Sequence, residues 1–148
     1  MKEILIRKML DSDLPEVMRL ERELFTDPWQ EEMFRQELEA ESAYLLETSE
    51  EKKLIGYVCA LQILDEFMIT NIAVRNEEQQ KGYGKKLLLY LTGEMVKQGC
   101  KRCFLEVRAK NFHAIEFYKR QGFETIGRRK NYYREPVDDA LVMKLELY

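Results

Sequence analysis

Three β-type runs follow one another in the middle of the chain, Tyr44 to Thr48, Leu54 to Leu64 and Glu66 to Val74. Only short breaks separate them, among them the polar turn Ser49 to Lys53. Runs this close together read as an antiparallel meander. Upstream, Ile4, Leu5 and Ile6 stand among charges in a first strand over Glu3 to Met9, and Asp11-Ser12-Asp13 with Pro15 opens a helix that should reach about Phe25. Its apolar residues Leu14, Val17, Met18, Leu20 and Leu24 recur near a 3.6-residue period, leaving Glu16, Arg19 and Glu23 on the outer face. Thr26-Asp27-Pro28 breaks that helix, and Gln30 to Ala40 starts another with Met33, Phe34 and Leu38 on its inner side. After the meander the pattern is helical over Gly84 to Lys97 and extended over Lys101 to Arg108. It is helical again over Phe112 to Gln121, then extended over Phe123 to Tyr132 and Ala140 to Leu147. The order is βααβββαβαββ. No linker, low-complexity tract or repeat interrupts it, so residues 1–148 are expected to form one α+β domain, a mixed, mostly antiparallel β-sheet flanked by helices.

Composition narrows the function. With 24 basic and 27 acidic side chains the net charge is −3, so the overall basic balance of a nucleic-acid binder is missing. Arg128-Arg129-Lys130 beside Tyr132 is a short basic run of the kind found on solvated strand edges. His113 is the one histidine, which removes multi-histidine zinc sites and leaves any histidine-based proton relay to this one residue beside Phe112, which has no plausible triad partner in the sequence. Three cysteines cannot close a disulfide framework, and Met1-Lys2-Glu3 begins no secretory signal, so a reducing, cytoplasmic setting is expected. Cys100-x-x-Cys103 has no second pair and enters a strand, so no metal site is expected there. The longest mainly apolar stretch, Leu54 to Leu64, is interrupted by Gly56 and Gln62 and falls short of the roughly 18 apolar residues that a membrane helix needs.

One constellation points to a ligand. After the run Thr70 to Val74 comes a polar loop, Arg75 to Lys81, and then Gly82-Tyr83-Gly84 opens a helix with Lys85 and Lys86. The first N–H groups of a helix have no internal partners and carry the positive end of its dipole, and glycines let a diphosphate approach without a Cβ in the way. Lys81 and Lys85 add charge. Two glycines equally suit a plain tight turn, and neither a G-x-x-x-x-G-K-[ST] nor a G-x-G-x-x-G run is present.

Gln79-Gln80-Lys81-Gly82-Tyr83-Gly84 resembles the Q/R-x-x-G-x-G/A loop of the GNAT superfamily of acetyl-CoA-dependent N-acetyltransferases, whose topology is the same βααβββαβαββ order. Several further segments are similar to its RimI-type branch. These are Asn71 to Val74, Leu105 to Asn111, Ala114 to Tyr118, Gly122-Phe123, and Arg129 to Tyr133 with Asp139-Ala140. The resemblance covers essentially the whole chain. It implies acetyl-CoA as co-substrate, with pantetheine along Ile72, Ala73 and Val74 and the diphosphate on Gln80, Lys81, Gly82, Tyr83, Gly84 and Lys85. Asn111 would also touch the cofactor. Gln80 stands where the family often has arginine. The resemblance further implies Glu106 as general base and Tyr118 as general acid. The implied acceptor is the N-terminal alanine of a small-subunit ribosomal protein, met by Phe25, Pro28, Trp29, Tyr132 and Tyr133.

The chemistry suits those residue types. An α-amino group with pKa about 8 is mostly protonated at neutral pH and needs a proton acceptor, while a leaving thiolate needs a proton that a phenol can supply. Strand alternation sends Cys103, Leu105 and Val107 to one face and Phe104, Glu106 and Arg108 to the other. Each candidate also has a plain structural role open to it. Glu106 suits an arginine-paired strand position, Tyr118 an inward helical stripe with Phe112 and Ile115, the acceptor-side aromatics ordinary packing, and Asp138 and Asp139 a solvated turn. His113 is expected on the first turn of its helix. Transfer to a lysine side chain or a small amine, or acyl-CoA binding without catalysis, are the other functions compatible with this pattern.

Overall fold

The short breaks of the meander become hairpin connections. In the computed structural model, which describes residues 3–147, β2 (Ala43–Thr48), β3 (Leu54–Ile63) and β4 (Glu66–Val74) pair antiparallel in sequence order. The Met1-Lys2 start considered above lies outside the described residues. β1 (Ile4–Lys8) adds to β2, and α1 (Leu14–Leu24) and α2 (Glu31–Glu39) lie between them in the chain. After β4 the chain leaves through α3 (Tyr83–Lys97) and returns as β5 (Arg102–Arg108) parallel to β4, as a helical crossover allows. α4 (Phe112–Arg120), β6 (Glu124–Arg134) and β7 (Val137–Glu146) complete a seven-stranded sheet of order β1-β2-β3-β4-β5-β7-β6, antiparallel everywhere except at β4/β5.

Alternating side chains give the sheet two buried faces. On one, Leu46, Ile55, Val58, Phe67, Leu105 and Val107 pack with Leu87, Leu91 and Met95 of α3 and with Ile115 and Tyr118 of α4. On the other, Leu45, Tyr57, Cys59 and Ala73 pack with Val17 and Leu20 of α1 and Phe34 of α2. Two side chains expected inside are outside: Met33 is 44% exposed and Phe112 73%. Each i, i+3 step turns a helix position back by about 60°, so Phe112 and Tyr118 end roughly 120° apart. Ile115 holds the centre of the stripe, and Ala114 and Phe117 fill it instead. Met33 is one residue from Phe34, about 100° around the helix, which takes it off the face shared by Phe34 and Leu38.

Gly56 sets how closely β3 and β4 approach. A Cβ there would lie 2.5 Å from the Ala73 carbonyl oxygen and 3.3 Å from a Leu87 methyl. Neither the backbone atom nor the packed helix can easily give way. Gly56→Ala is therefore expected to destabilise the fold by about 1–3 kcal/mol, the usual range for overpacking. Urea denaturation would show a lower midpoint at an unchanged m-value, and an unshifted midpoint would refute the close approach.

Candidate functional site

β4 and β5 are neighbours for only part of their length. Glu66 to Ile69 pair with Arg102 to Leu105, and no pairing follows. The cause lies in β4: its partners on β3 skip from Ile69 to Asn71, so Thr70 bulges out of the ladder. A bulge bends and over-twists its strand. From Thr70 to Val74, β4 bonds only to β3, and from Glu106 to Arg108, β5 bonds only to β7. The backbone edges that face each other are left open across a notch. Ile72, Ala73 and Val74 lie on the β4 side of it.

The glycine loop adjoins that open stretch of β4. The polar segment folds as a short 3-10 turn over Asn76–Glu78, and the Gln79 amide and the Arg75 guanidinium donate to the Val74 and Leu54 carbonyls, both at 2.9 Å. Gln80 and Gly82 have positive φ, 63° and 88°, and Gly82 caps α3 with no side-chain hydrogen bond. The Lys86 N–H is bonded to the Gly82 carbonyl. The preceding amides at the helix start point outward without an intrahelical partner. A Cβ on Gly84 would sit 3.4 Å from the Phe117 ring and 3.8 Å from Val74. Lys81 lies 3.4 Å from Glu78, and Lys85 is exposed on the first turn. An anionic diphosphate fits this amide-rimmed, partly cationic turn, with the open β4 edge leading into the sheet.

Glu106 and Tyr118 lie on opposite faces of the sheet. Glu106 stands on the α1/α2 face, just beyond the last β4/β5 pair, with its side chain 15% exposed. Its Oε2 lies 2.7 Å from Arg129 Nε, off the N–H direction, so this buried oxygen makes an ion pair and no hydrogen bond. Tyr118 is on α4, buried on the α3/α4 face, edge-on to Phe117 and Phe123 with centroids 5.3 and 5.6 Å away. Burial, helped by nearby Cys103 and Tyr133, pushes its phenol well above the ordinary tyrosine range, so it stays protonated. Tyr133 interacts electrostatically with both. It is raised by burial and by the Glu106 charge, and the Arg108 guanidinium lies 4.2 Å above its ring. Tyr132 packs edge-on to Tyr133 at 5.1 Å, and the Glu106 charge and partial burial raise its phenol too.

Other expected residues have internal duties. Asn111 caps α4, its Oδ1 accepting from the Ala114 N–H at 3.2 Å. His113 is exposed on the first turn. Asp138 is buried and accepts from the Lys110 N–H, and Asp139 accepts from the Asn131 N–H and from Arg128, at 2.8 and 2.7 Å. These bonds hold the wide bulge in β6, where Lys130 to Tyr132 leave the β7 ladder and Asn131 takes a φ of 52°. The basic run thus lies on the sheet's edge strand with two of its charges on Asp139 and Glu106. Cys100 and Cys103 are core residues whose thiols are raised by burial.

Phe25, Pro28 and Trp29 form the α1–α2 loop on the Glu106 face, with the Trp29 ring 5.1 Å from Phe34. Beneath them is a polar layer absent from the expected set. Glu21 is 2% exposed and accepts from Tyr57, Asn71 and the Trp29 N–H, and Glu37 accepts from Thr70 at 2.9 Å. Burial raises the Glu37 carboxyl. The sequence carried a signal for Glu21, a carboxylate three and four residues after Met18 and Val17 on an apolar stripe.

The Asn131 N–H and the Arg128 guanidinium hold the Asp139 carboxyl below its ordinary range. A depressed folded value contributes stability above the ordinary carboxylate pKa of about 4, and that contribution is lost as pH falls through the folded value. Backbone amide NMR should therefore show residues 130–132 unchanged from neutral pH down to about 4 and moving below it. Asp139→Ala should move the same signals at neutral pH. Unmoved signals in that variant would remove Asp139 as the anchor of the bulge.

Comparison with known proteins places this geometry in context. The profile of the Acetyltransferase (GNAT) family matches residues 14–123. The putative [ribosomal protein bS18]-alanine N-acetyltransferase of Bacillus subtilis is 34% identical over 139 residues, 93% of this chain and 92% of that protein. The [ribosomal protein bS18]-alanine N-acetyltransferase of Escherichia coli K12 is 32% identical over 144 residues, 96% of this chain and 97% of that protein. The crystal structure of the Escherichia coli ribosomal-protein-S18-alanine N-acetyltransferase superposes with a TM-score of 0.87, covering 97% of this chain and 93% of that one.

Proposed function

Because the chain belongs to the GNAT family of acetyltransferases, we propose that it transfers acetyl from acetyl-CoA to the N-terminal alanine of ribosomal protein bS18, a small-subunit protein, in the cytoplasm. The observation that carries this reading is the notch between β4 and β5, with Glu106 just beyond the last β4/β5 pair on one face of the sheet and Tyr118 packed in the core on the other. A carboxylate can take the first proton from the acceptor's ammonium, and a protonated phenol can give one to the leaving thiolate.

Ile72, Ala73 and Val74 present the open edge of β4 to the pantetheine arm. Gln80, Lys81, Gly82, Tyr83, Gly84 and Lys85 receive the diphosphate, and Asn111 lies beside the cofactor. Phe25, Trp29, Tyr132 and Tyr133 bound the acceptor's path. The incoming α-ammonium takes the place of the Arg129 guanidinium at Glu106, which accepts its proton directly or through water. The amine nitrogen forms a bond to the acetyl carbonyl carbon, and backbone N–H groups of β4 stabilise the oxyanion. As the C–S bond breaks, Tyr118 donates its proton to the thiolate; the second proton shed by the acceptor nitrogen returns to the phenolate through water, and Glu106 releases the first to solvent. Transfer is direct within a ternary complex.

Mass spectrometry after incubation with acetyl-CoA should find acetyl on a bS18 N-terminal peptide with a free α-amine and none on its N-blocked counterpart. Acetylation of the blocked peptide at lysine would replace this reading with side-chain transfer. Glu106→Gln should lower kcat by about 100-fold or more while leaving the KM for acetyl-CoA within about twofold, and Tyr118→Phe should lower kcat by at least roughly tenfold. Unchanged turnover in either variant removes that residue from the mechanism.

A further inference from the structure

Glu21 is a buried carboxylate that the transfer chemistry does not use. Its Oε1 accepts from the Tyr57 hydroxyl at 2.6 Å and the Asn71 side-chain amide at 2.9 Å, and its Oε2 accepts from the Trp29 N–H at 2.9 Å. The three donors belong to the middle of β3, to β4 immediately after the Thr70 bulge, and to the α1–α2 loop. Among the described residues, the Trp29 contact is the one hydrogen bond that ties a backbone amide of residues 26–30 to the rest of the fold. The rings close the same circuit. Trp29 packs on Phe34 at 5.1 Å, Phe34 meets Tyr57 edge-on at 5.9 Å, and the Tyr57 hydroxyl returns to Glu21.

Such a group is expensive to bury, and nearby apolar residues would fill its place more cheaply if packing alone were at stake. What the carboxylate adds is directional. It fixes the height of the loop above the sheet and its register against the point where β4 turns away from β5. We infer that Glu21 is the positioning residue for the acceptor, holding the Phe25-to-Trp29 loop in place over the notch. The inference rests on the reading of that loop as the acceptor's wall. Glu21 acts through Trp29 and Asn71 and does not touch the reacting atoms.

Trp29 is the chain's single tryptophan, so its emission reports the loop directly and independently of activity. In Glu21→Leu, which puts an apolar side chain of similar size there, both acceptor oxygens are gone and the loop loses its tether. The emission should shift to the red and acrylamide quenching should increase, while far-UV circular dichroism is unchanged. The KM for the bS18 peptide should rise about tenfold, with the KM for acetyl-CoA and kcat within about twofold. Tyr57→Phe, which deletes one donor and keeps the ring, should show the same split at smaller amplitude, and it serves as the test if Glu21→Leu does not fold. Unchanged Trp29 emission overturns the inference, and so does an equal rise in both KM values. Failure of the wild type to acetylate the peptide overturns the proposed acceptor instead, and Trp29 emission then still decides whether Glu21 holds the loop.

Discussion

The site depends on a pairing that stops halfway. β4 and β5 share the sheet from Glu66/Arg102 to Ile69/Leu105 and then separate, because Thr70 is one residue too many for the β3 ladder and turns β4 away. An open strand edge is ordinarily a liability, since unpaired N–H and C=O groups invite another chain. Here the open edges face inward across a notch that both helical layers flank. The parallel pairing matters as much as its interruption. It brings the end of β4 that feeds the glycine loop beside the end of β5 that carries Glu106, and a hairpin between the same strands would have set those ends at opposite edges of the sheet.

Charge is arranged locally. A chain of net charge −3 has no general attraction for an anionic ligand, and the amide-rich start of α3 with Lys81 and Lys85 at its rim supplies a local one. Across the notch the surroundings are acidic, and each acid is engaged. Asp138 and Asp139 hold the β5–α4 connection and the β6 bulge, Glu106 meets Arg129, Glu37 meets Thr70, and Glu21 gathers three donors. Of these carboxylates, Glu106 lies just beyond the last β4/β5 pair, and its partner Arg129 is an exposed guanidinium.

The element order was readable because each element declares itself over a short window. β4 runs over the same residues, Glu66 to Val74, that the apolar pattern marks, and α3 begins one residue before Gly84. The face of Glu106 followed from simple alternation in β5, which the buried positions of Cys103, Leu105 and Val107 match. Helix faces were less secure. Spacing of three residues drifts by about 60° per step, which is why Phe112 and Met33 point outward. The placement of Glu106 and Tyr118 on opposite faces of the sheet could not be read at all, since a helix position acquires a side only when the helix is laid against the sheet.

By itself, then, the sequence determined the strands, the helices, the glycine turn and the residue types able to move protons, because hydrophobic period and turn chemistry act between near neighbours. The tertiary structure alone decided where β4 parts from β5, that Arg129 sits on Glu106, that Asn111 caps a helix, and that Glu21 joins residues 36 and 50 positions away. Those contacts link segments whose separation along the chain carries no pattern. They exist only once burial has fixed which faces meet and each buried polar group has had to find a partner there.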